Sequence, residues 1–358
     1  MLPLVPDSSQ FDPHQLGVTT GDPAGVGPEV SLRAALDPGL RGCCRLLLFG
    51  DVEILREQAS MLGLSWDFDR VPIKALQADR PLPERGIVDV PALREHISLG
   101  CGSGASGEAA AQNIMECVRA CRSGRLNAMV TAPLNKKFLN EAGYPFPGHT
   151  EFLAHLCGVA RFAMAFLTER LKVVLVTIHL PLRAAIEQIT SESILEKLEI
   201  MLEEFPRLGL PCRKIAVAGL NPHAGESGLL GREEIEQIEP ALARARKHYS
   251  EVAIEGPIPA DTLFYRAAQG EFDAVLALYH DQGLAPIKLL GFGEAVNATL
   301  GLPFVRTSVD HGTAYDIAGK GCARPESMIS AIRWALRLKS SAEKKTAGTE
   351  YWKKLVTR

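Results

Sequence analysis

The 358-residue chain predicts an α/β protein of two domains, with mostly parallel sheets flanked by helices. Its length exceeds a usual single domain, short apolar runs rich in Val, Ile, Leu and Ala recur along it, and each run stops abruptly at a polar segment. Arg45–Phe49 stops at Gly50-Asp51, and Ala128–Thr131 at Ala132-Pro133-Leu134-Asn135-Lys136. Val173–Ile178 stops at His179, Ile215–Leu220 at Asn221-Pro222-His223, and Ala274–Tyr279 at His280-Asp281. Runs that are apolar throughout suit strands covered on both faces. Between them, Glu233–Arg246 places Ile235, Ile238 and Leu242 on one helical face, although Pro240 is expected to kink or break that helix. Val159–Leu167 and Ser191–Glu204 read as ordinary strand and helix material. In parallel sheets ligands bind beyond the carboxyl ends of the strands, where this chain keeps many of its His, Asp, Asn and Lys residues.

Composition narrows the function. With 46% apolar and 23% charged residues the chain is an ordinary soluble globular protein. A net charge of −3 and a pI near 6.3 provide no basic field for nucleic acid. No apolar run approaches the ~20 residues of a membrane span. Met1–Gln10 lacks a cationic stretch followed by an apolar core, so a cytoplasmic protein is expected. The eight cysteines contain no C-x-x-C pair and read as buried free thiols of a reducing compartment. From Lys339 the chain is Lys-rich and poor in core residues, which predicts a charged tail over 341–358.

Two glycine motifs call for opposite treatment. Gly21-Asp22-Pro23-Ala24-Gly25-Val26-Gly27-Pro28-Glu29 suits either an anion-binding cradle or a tight strand-to-helix turn, and spacing alone leaves both open. Gly102-Ser103-Gly104-Ala105-Ser106-Gly107 spells a dinucleotide fingerprint without its context. Leu93–Leu99 is a poor strand, and no acidic residue ends the next one, so a Rossmann site is rejected.

Three of nine histidines, His179, His223 and His280, end predicted buried strands. Equivalent positions on one sheet edge suit a divalent metal with open positions for substrate. Lys288, Asn297 and Arg306 follow His280 and suit a phosphate or carboxylate. His149-Thr150 precedes a helix, where the hydroxyl can cap the helix or donate to a phosphate.

Together these segments resemble the 4-hydroxythreonine-4-phosphate dehydrogenase family of pyridoxal phosphate synthesis, from about Leu16 to about Ala331. The strings that carry it are GDPAGVGPE at 21–29, TAPLNK at 131–136, GHTEF at 148–152, TIHLPLR at 177–183, GLNPHAGE at 219–226, GPIPADTLF at 256–264, YHDQG at 279–283 and NATLGLPFVRTSVDHGTA at 297–314. The resemblance implies metal ligands at His179, His223 and His280, and substrate contacts at His149, Thr150, Lys288, Asn297 and Arg306, with Asp261 and Asp281 serving the same site. It also implies a homodimer whose active site lies at the subunit interface. The implied fold is like the isocitrate and isopropylmalate dehydrogenases. That places a cofactor-side domain at 15–129 and 308–340, and a metal- and substrate-binding domain at 130–307.

The implied reaction oxidises the C3 hydroxyl of 4-phosphooxy-L-threonine with NAD or NADP and one divalent ion (Zn, Mg or Co). The β-keto acid formed then loses carbon dioxide. Asp281 and Lys136 are both candidate bases. Erythronate or threonate 4-phosphate are alternative substrates, and an aromatic cis-dihydrodiol is disfavoured by the intact phosphate set. A metal-dependent hydrolase is the alternative from another class.

Overall fold

The computed structural model describes residues 14–338 apart from Asp79 and Phe292. The expected charged tail at 341–358 lies outside the described residues. The chain forms two compact units, one running to Ala160 and resuming at Leu302, the other Arg161–Gly301.

The first unit begins with β1 (Gln15–Thr19), α1 (Gly27–Ala35), β2 (Arg45–Gly50), α2 (Val52–Met61), β3 (Asp69–Pro72) and β4 (Arg85–Asp89). It continues through α3 (Gly104–Arg122), β5 (Ala128–Thr131), α4 (Lys136–Glu141) and α5 (His149–Cys157). The second unit holds β6 (Ala163–Leu167), β7 (Lys172–Leu175), α6 (Leu182–Gln188), α7 (Ser191–Arg207), β8 (Lys214–Ala218) and α8 (Glu239–His248). β9 (Ala253–Ile258), α9 (Ala260–Ala268), β10 (Ala274–Ala277), α10 (His280–Gly291) and β11 (Val296–Leu300) complete it. The chain then returns to the first unit with β12 (Val305–Ser308) and α11 (Glu326–Arg337).

The strands of the first unit lie in the order β3-β4-β2-β1-β5-β12, all parallel. Successive strands leave β1 on opposite sides, so the switch point, where a doubly wound sheet opens a crevice, falls between β1 and β5. In the second unit the order is β11-β6-β7-β10-β8-β9. There β7, β10, β8 and β9 run parallel, and β6 is antiparallel to both neighbours. The α/β class and the mostly parallel sheets follow the sequence reading, because each apolar run became a strand buried on both faces.

Each unit has its own core. Leu47, Phe49, Ile114, Met129, Leu139 and Phe152 centre the first; Phe166, Val173, Leu263, Val275 and Ile287 centre the second. Leu139 of α4 and Phe152 of α5 belong to the first core, so 130–160 packs there. The units accordingly part at 160/161 and 301/302, where the resemblance had drawn joints near 130 and 308.

Local chemistry explains the motifs. The helix expected over 233–246 forms and runs through its proline without interruption. Glu234–Ile238 is a π turn, and Pro240 follows it as the second residue of α8, so the widened turn takes up the ring and the missing N–H. The G-x-G-x-x-G segment caps α3. The Ser103 hydroxyl accepts from the Ser106 amide at 3.2 Å and the Ser106 hydroxyl accepts from the Ser103 amide at 3.0 Å. A Cβ on Gly107 would lie 2.1 Å from the Phe138 carbonyl oxygen, so that glycine serves the approach of α3 to α4. Gly107→Ala is expected to destabilise the fold by about 1–3 kcal/mol in urea unfolding.

The Gly21–Gly27 loop is built as a tight turn on buried Asp22. Its carboxylate accepts from the Ala24 amide (2.9 Å), the Ser106 hydroxyl (3.1 Å) and the Tyr315 hydroxyl (2.6 Å). A Cβ on Gly21 would meet the Pro133 carbonyl oxygen at 2.2 Å. All eight cysteines are free. Five are buried as expected, but Cys101 and Cys322 are exposed, because they sit in loops instead of apolar runs. Burial pushes the Cys44, Cys157 and Cys212 thiols up to about 12. Among the described residues no helix is long and apolar enough to cross a membrane.

Candidate active site

In the first unit, four sequence-selected residues gather near the carboxyl end of β5. Arg306 sits on β12 opposite Met129 and is 3% exposed, with its Nη2 donating to the Thr131 hydroxyl at 2.7 Å. His149 and the buried Thr150 open α5, whose first amides have no partner within the helix. One nitrogen of the His149 ring bonds the backbone of Ala132, while Nε2 is shielded from solvent with no protein partner. Lys136, the first residue of α4, adds a second positive charge near this ring.

The electrostatics are lopsided. Burial pushes Arg306 down to about 9, with Glu151 opposing, so the guanidinium stays charged at neutral pH. Burial, then Arg306 and more weakly Lys136, hold His149 well below its ordinary 6.5, against the bond to Ala132. A buried cation, a second cation, an unused ring nitrogen and a helix N-terminus make a receptor for an anion. The same shift predicts a pH dependence. The unfolded chain protonates His149 at a higher pH than the folded protein does. Stability from this group is therefore complete above about pH 6.5 and declines as pH falls toward the lower folded value. His149→Asn is expected to remove that part of the slope in urea unfolding compared at about pH 7.5 and about pH 5.5.

In the second unit, the three strand-end histidines follow β7, β10 and β8, which are adjacent and parallel. His179 lies in the segment before α6, His280 opens α10, and their ring centroids are 5.7 Å apart. Two imidazoles sharing one zinc ion at Zn–N of about 2.0–2.1 Å would lie about 5 Å apart, so this pair fits a shared ion. His223 follows β8. It is exposed on a left-handed stretch in which His223, Ala224, Gly225, Glu226 and Ser227 all have positive φ. Among the described residues no three His, Cys, Asp or Glu side chains of one chain come together as a metal site. The edge shared by the three histidines follows the sequence reading.

The remaining candidates also occupy the second unit. Asp281 accepts or shares a proton with His280 Nδ1 at 2.7 Å. Asp261 is exposed in the first turn of α9 and its Oδ1 accepts from the adjacent Thr262 amide at 2.8 Å. Lys288 lies in the last turn of α10, and Asn297 on β11 opposite Phe166.

The sequence over residues 42–335 matches the family described as Pyridoxal phosphate biosynthetic protein PdxA. The chain belongs to this family. It is 44% identical over 324 residues to 4-hydroxythreonine-4-phosphate dehydrogenase of Geobacter metallireducens, covering 90% of this chain and 94% of that one. It is 41% identical over 328 residues to D-threonate 4-phosphate dehydrogenase of Cupriavidus necator, covering 90% and 96%. The crystal structure of 4-hydroxythreonine-4-phosphate dehydrogenase from Klebsiella pneumoniae superposes with a TM-score of 0.81 at 39% identity, covering 90% and 98%. This PdxA-family chain is thus an enzyme of the oxidoreductase class, which sets the hydrolase alternative aside.

Several residues of this PdxA-family site escaped the sequence reading. Thr131 was read as a strand end, yet it receives Arg306. Gln282 and Glu234 are 8% and 3% exposed and tie the histidine loops together. Gln282 lies inside the quoted YHDQG string, a signal that was available. Glu234 stands among other acids at a helix start and carried none.

Proposed function

We propose that this chain oxidises the C3 hydroxyl of 4-phosphooxy-L-threonine, using NAD or NADP and one divalent ion (Zn, Mg or Co). The product is 2-amino-3-oxo-4-phosphooxybutanoate, which decarboxylates to 3-amino-2-oxopropyl phosphate in pyridoxine 5'-phosphate synthesis. The observation that carries this reading is the anion receptor formed by Arg306, His149 and the start of α5 in a member of the PdxA family.

In this reading Arg306, Thr150 and the α5 amides hold the phosphate, and His149 donates or accepts through Nε2. Fixing that end sets C3 in a near-attack position. Lys288 and Asn297 contact the substrate, with Asp261 nearby in the same role. His179, His223 and His280 hold the metal. An ion held there would lower the pKa of the substrate hydroxyl and polarise the ketone, with Asp281 or Lys136 as acceptor of the proton and a nicotinamide cofactor as acceptor of the hydride. Asp281 fixes the His280 ring through Nδ1 and leaves Nε2 for ligation, and Lys136 contributes charge beside His149.

A homodimer completes the site in this reading. Leu180, Leu182 and Ile186 follow His179 closely in sequence, and Leu229, Leu230 and Ile235 follow His223; all six are exposed, Leu229 at 82%. A second copy covering these side chains removes apolar surface from water and brings further ligands to an incomplete histidine set. The free cysteines suit a cytoplasmic enzyme.

The C. necator relative supports a second reading, in which the same machinery acts on threonate or erythronate 4-phosphate. Initial rates of nicotinamide reduction with 4-phosphooxy-L-threonine, D-threonate 4-phosphate and erythronate 4-phosphate separate the two. Preference for the amino acid is expected; preference for a hydroxy acid would overturn the vitamin-pathway assignment and retain the mechanism.

A further inference from the structure

The β10–β8 ladder pairs Ala274 to Leu276 with Ile215 to Val217 and stops there, short of both histidine loops. Beyond it, buried side chains take over. On one side of β10, the Thr177 hydroxyl and amide both donate to the Leu278 carbonyl, at 2.8 and 3.1 Å. On the other side, Gln282 acts as a substitute peptide group. Its Oε1 accepts from the Leu278 amide at 2.7 Å and its Nε2 donates to the Gly219 carbonyl at 2.7 Å. One chain of bonds therefore links the segments that lead into His179, His280 and His223.

A second anchor lies just past Gly219. The Glu234 carboxylate accepts from the Leu220 and Asn221 amides at 2.8 and 2.7 Å, and from Asn221 Nδ2 at 2.9 Å. The next residues enter the left-handed stretch that carries His223, where four non-glycine residues hold positive φ. Such conformations cost about 1–3 kcal/mol each and persist only where the surroundings over-determine them. The cradle is tight as well: a Cβ on Gly225 would lie 2.6 Å from Glu234 Oε2.

We propose that Gln282 and Glu234 are positioning residues for metal binding, Gln282 setting the β10 exit against the β8 exit and Glu234 fixing the approach to His223. The proposal rests on the reading of the three histidines as ligands. Neither residue needs to touch substrate or ion. Each acts by fixing the backbone from which a ligand imidazole projects, so its loss registers in metal affinity before it registers in folding.

The test is Co²⁺ binding to the full-length protein, read by the visible spectrum and by competition with a chromogenic chelator. Wild type, His223→Ala, Gln282→Met and Glu234→Gln are compared well below their metal-free unfolding midpoints. The two positioning variants are expected to bind Co²⁺ about 10–100-fold more weakly and with an altered spectrum. Should Gln282→Met fail to fold, Glu234→Gln, which keeps two of three acceptor bonds, provides the same readout. Wild-type affinity and spectrum in both positioning variants, with His223→Ala impaired, would overturn the positioning role alone. Wild-type binding in His223→Ala would overturn the ligand reading and the positioning role with it.

Discussion

Arg306→Met is expected to lower kcat/KM for the phosphorylated substrate by about 10²–10³-fold, since truncating one partner of a buried charged pair costs about 2–5 kcal/mol. The same variant should leave the thermal midpoint of the ligand-free protein unchanged or raise it. That opposite sign follows from burial: the guanidinium is 3% exposed, and desolvation pushes its pKa down to about 9. Removing a buried cation relieves a desolvation cost that a bound anion otherwise helps to offset. Arg306→Lys should not restore activity, because an ammonium cannot reproduce the planar fork that meets both Thr131 and a phosphate. Unphosphorylated 4-hydroxythreonine should react equally poorly with both proteins. A loss of stability in step with activity would mark Arg306 as a structural residue.

His280→Ala should abolish metal-stimulated turnover, a loss of about 10³-fold or more, since a catalytic ion supplies several kcal/mol of charge stabilisation. Excess metal should not rescue it. Asp281 then separates two roles. Asp281→Asn keeps an oxygen that can accept from His280 Nδ1, now 2.7 Å from the carboxylate. As a ring-fixing group its replacement costs about 10-fold or somewhat more, whereas loss of a general base costs about 10²–10⁴-fold. Steady-state rates for the two variants, at saturating metal and with metal removed by chelation, distinguish these outcomes.

The strands were legible because a parallel sheet buried on both faces leaves runs such as Ala128–Val130 and Ala274–Ala277 without a polar position. The histidine edge was legible for the same reason, since each run ends where burial ends. What lay beyond the strand ends was not. Positive φ runs through His223, Ala224, Glu226 and Ser227, and a run of left-handed non-glycine residues carries no sequence signal. The unit limits at 160 and 301 depend on Leu139 and Phe152 packing into the first core, a tertiary choice. Glu234 looked like any solvated glutamate until its carboxylate was found against three donors. Pro240, expected to kink or break its helix, does not interrupt it, because the π turn before it makes room for the ring.

The central claim is that this chain carries out a metal-dependent oxidation of a phosphorylated substrate. The most direct measurement follows absorbance at the reduced-nicotinamide band with 4-phosphooxy-L-threonine, NAD or NADP and added divalent metal, while released inorganic phosphate is assayed in the same sample. The account predicts reduction of the nicotinamide that chelator and His223→Ala both suppress, with no phosphate release. Phosphate release without reduction, or reduction indifferent to both chelator and His223→Ala, would contradict it.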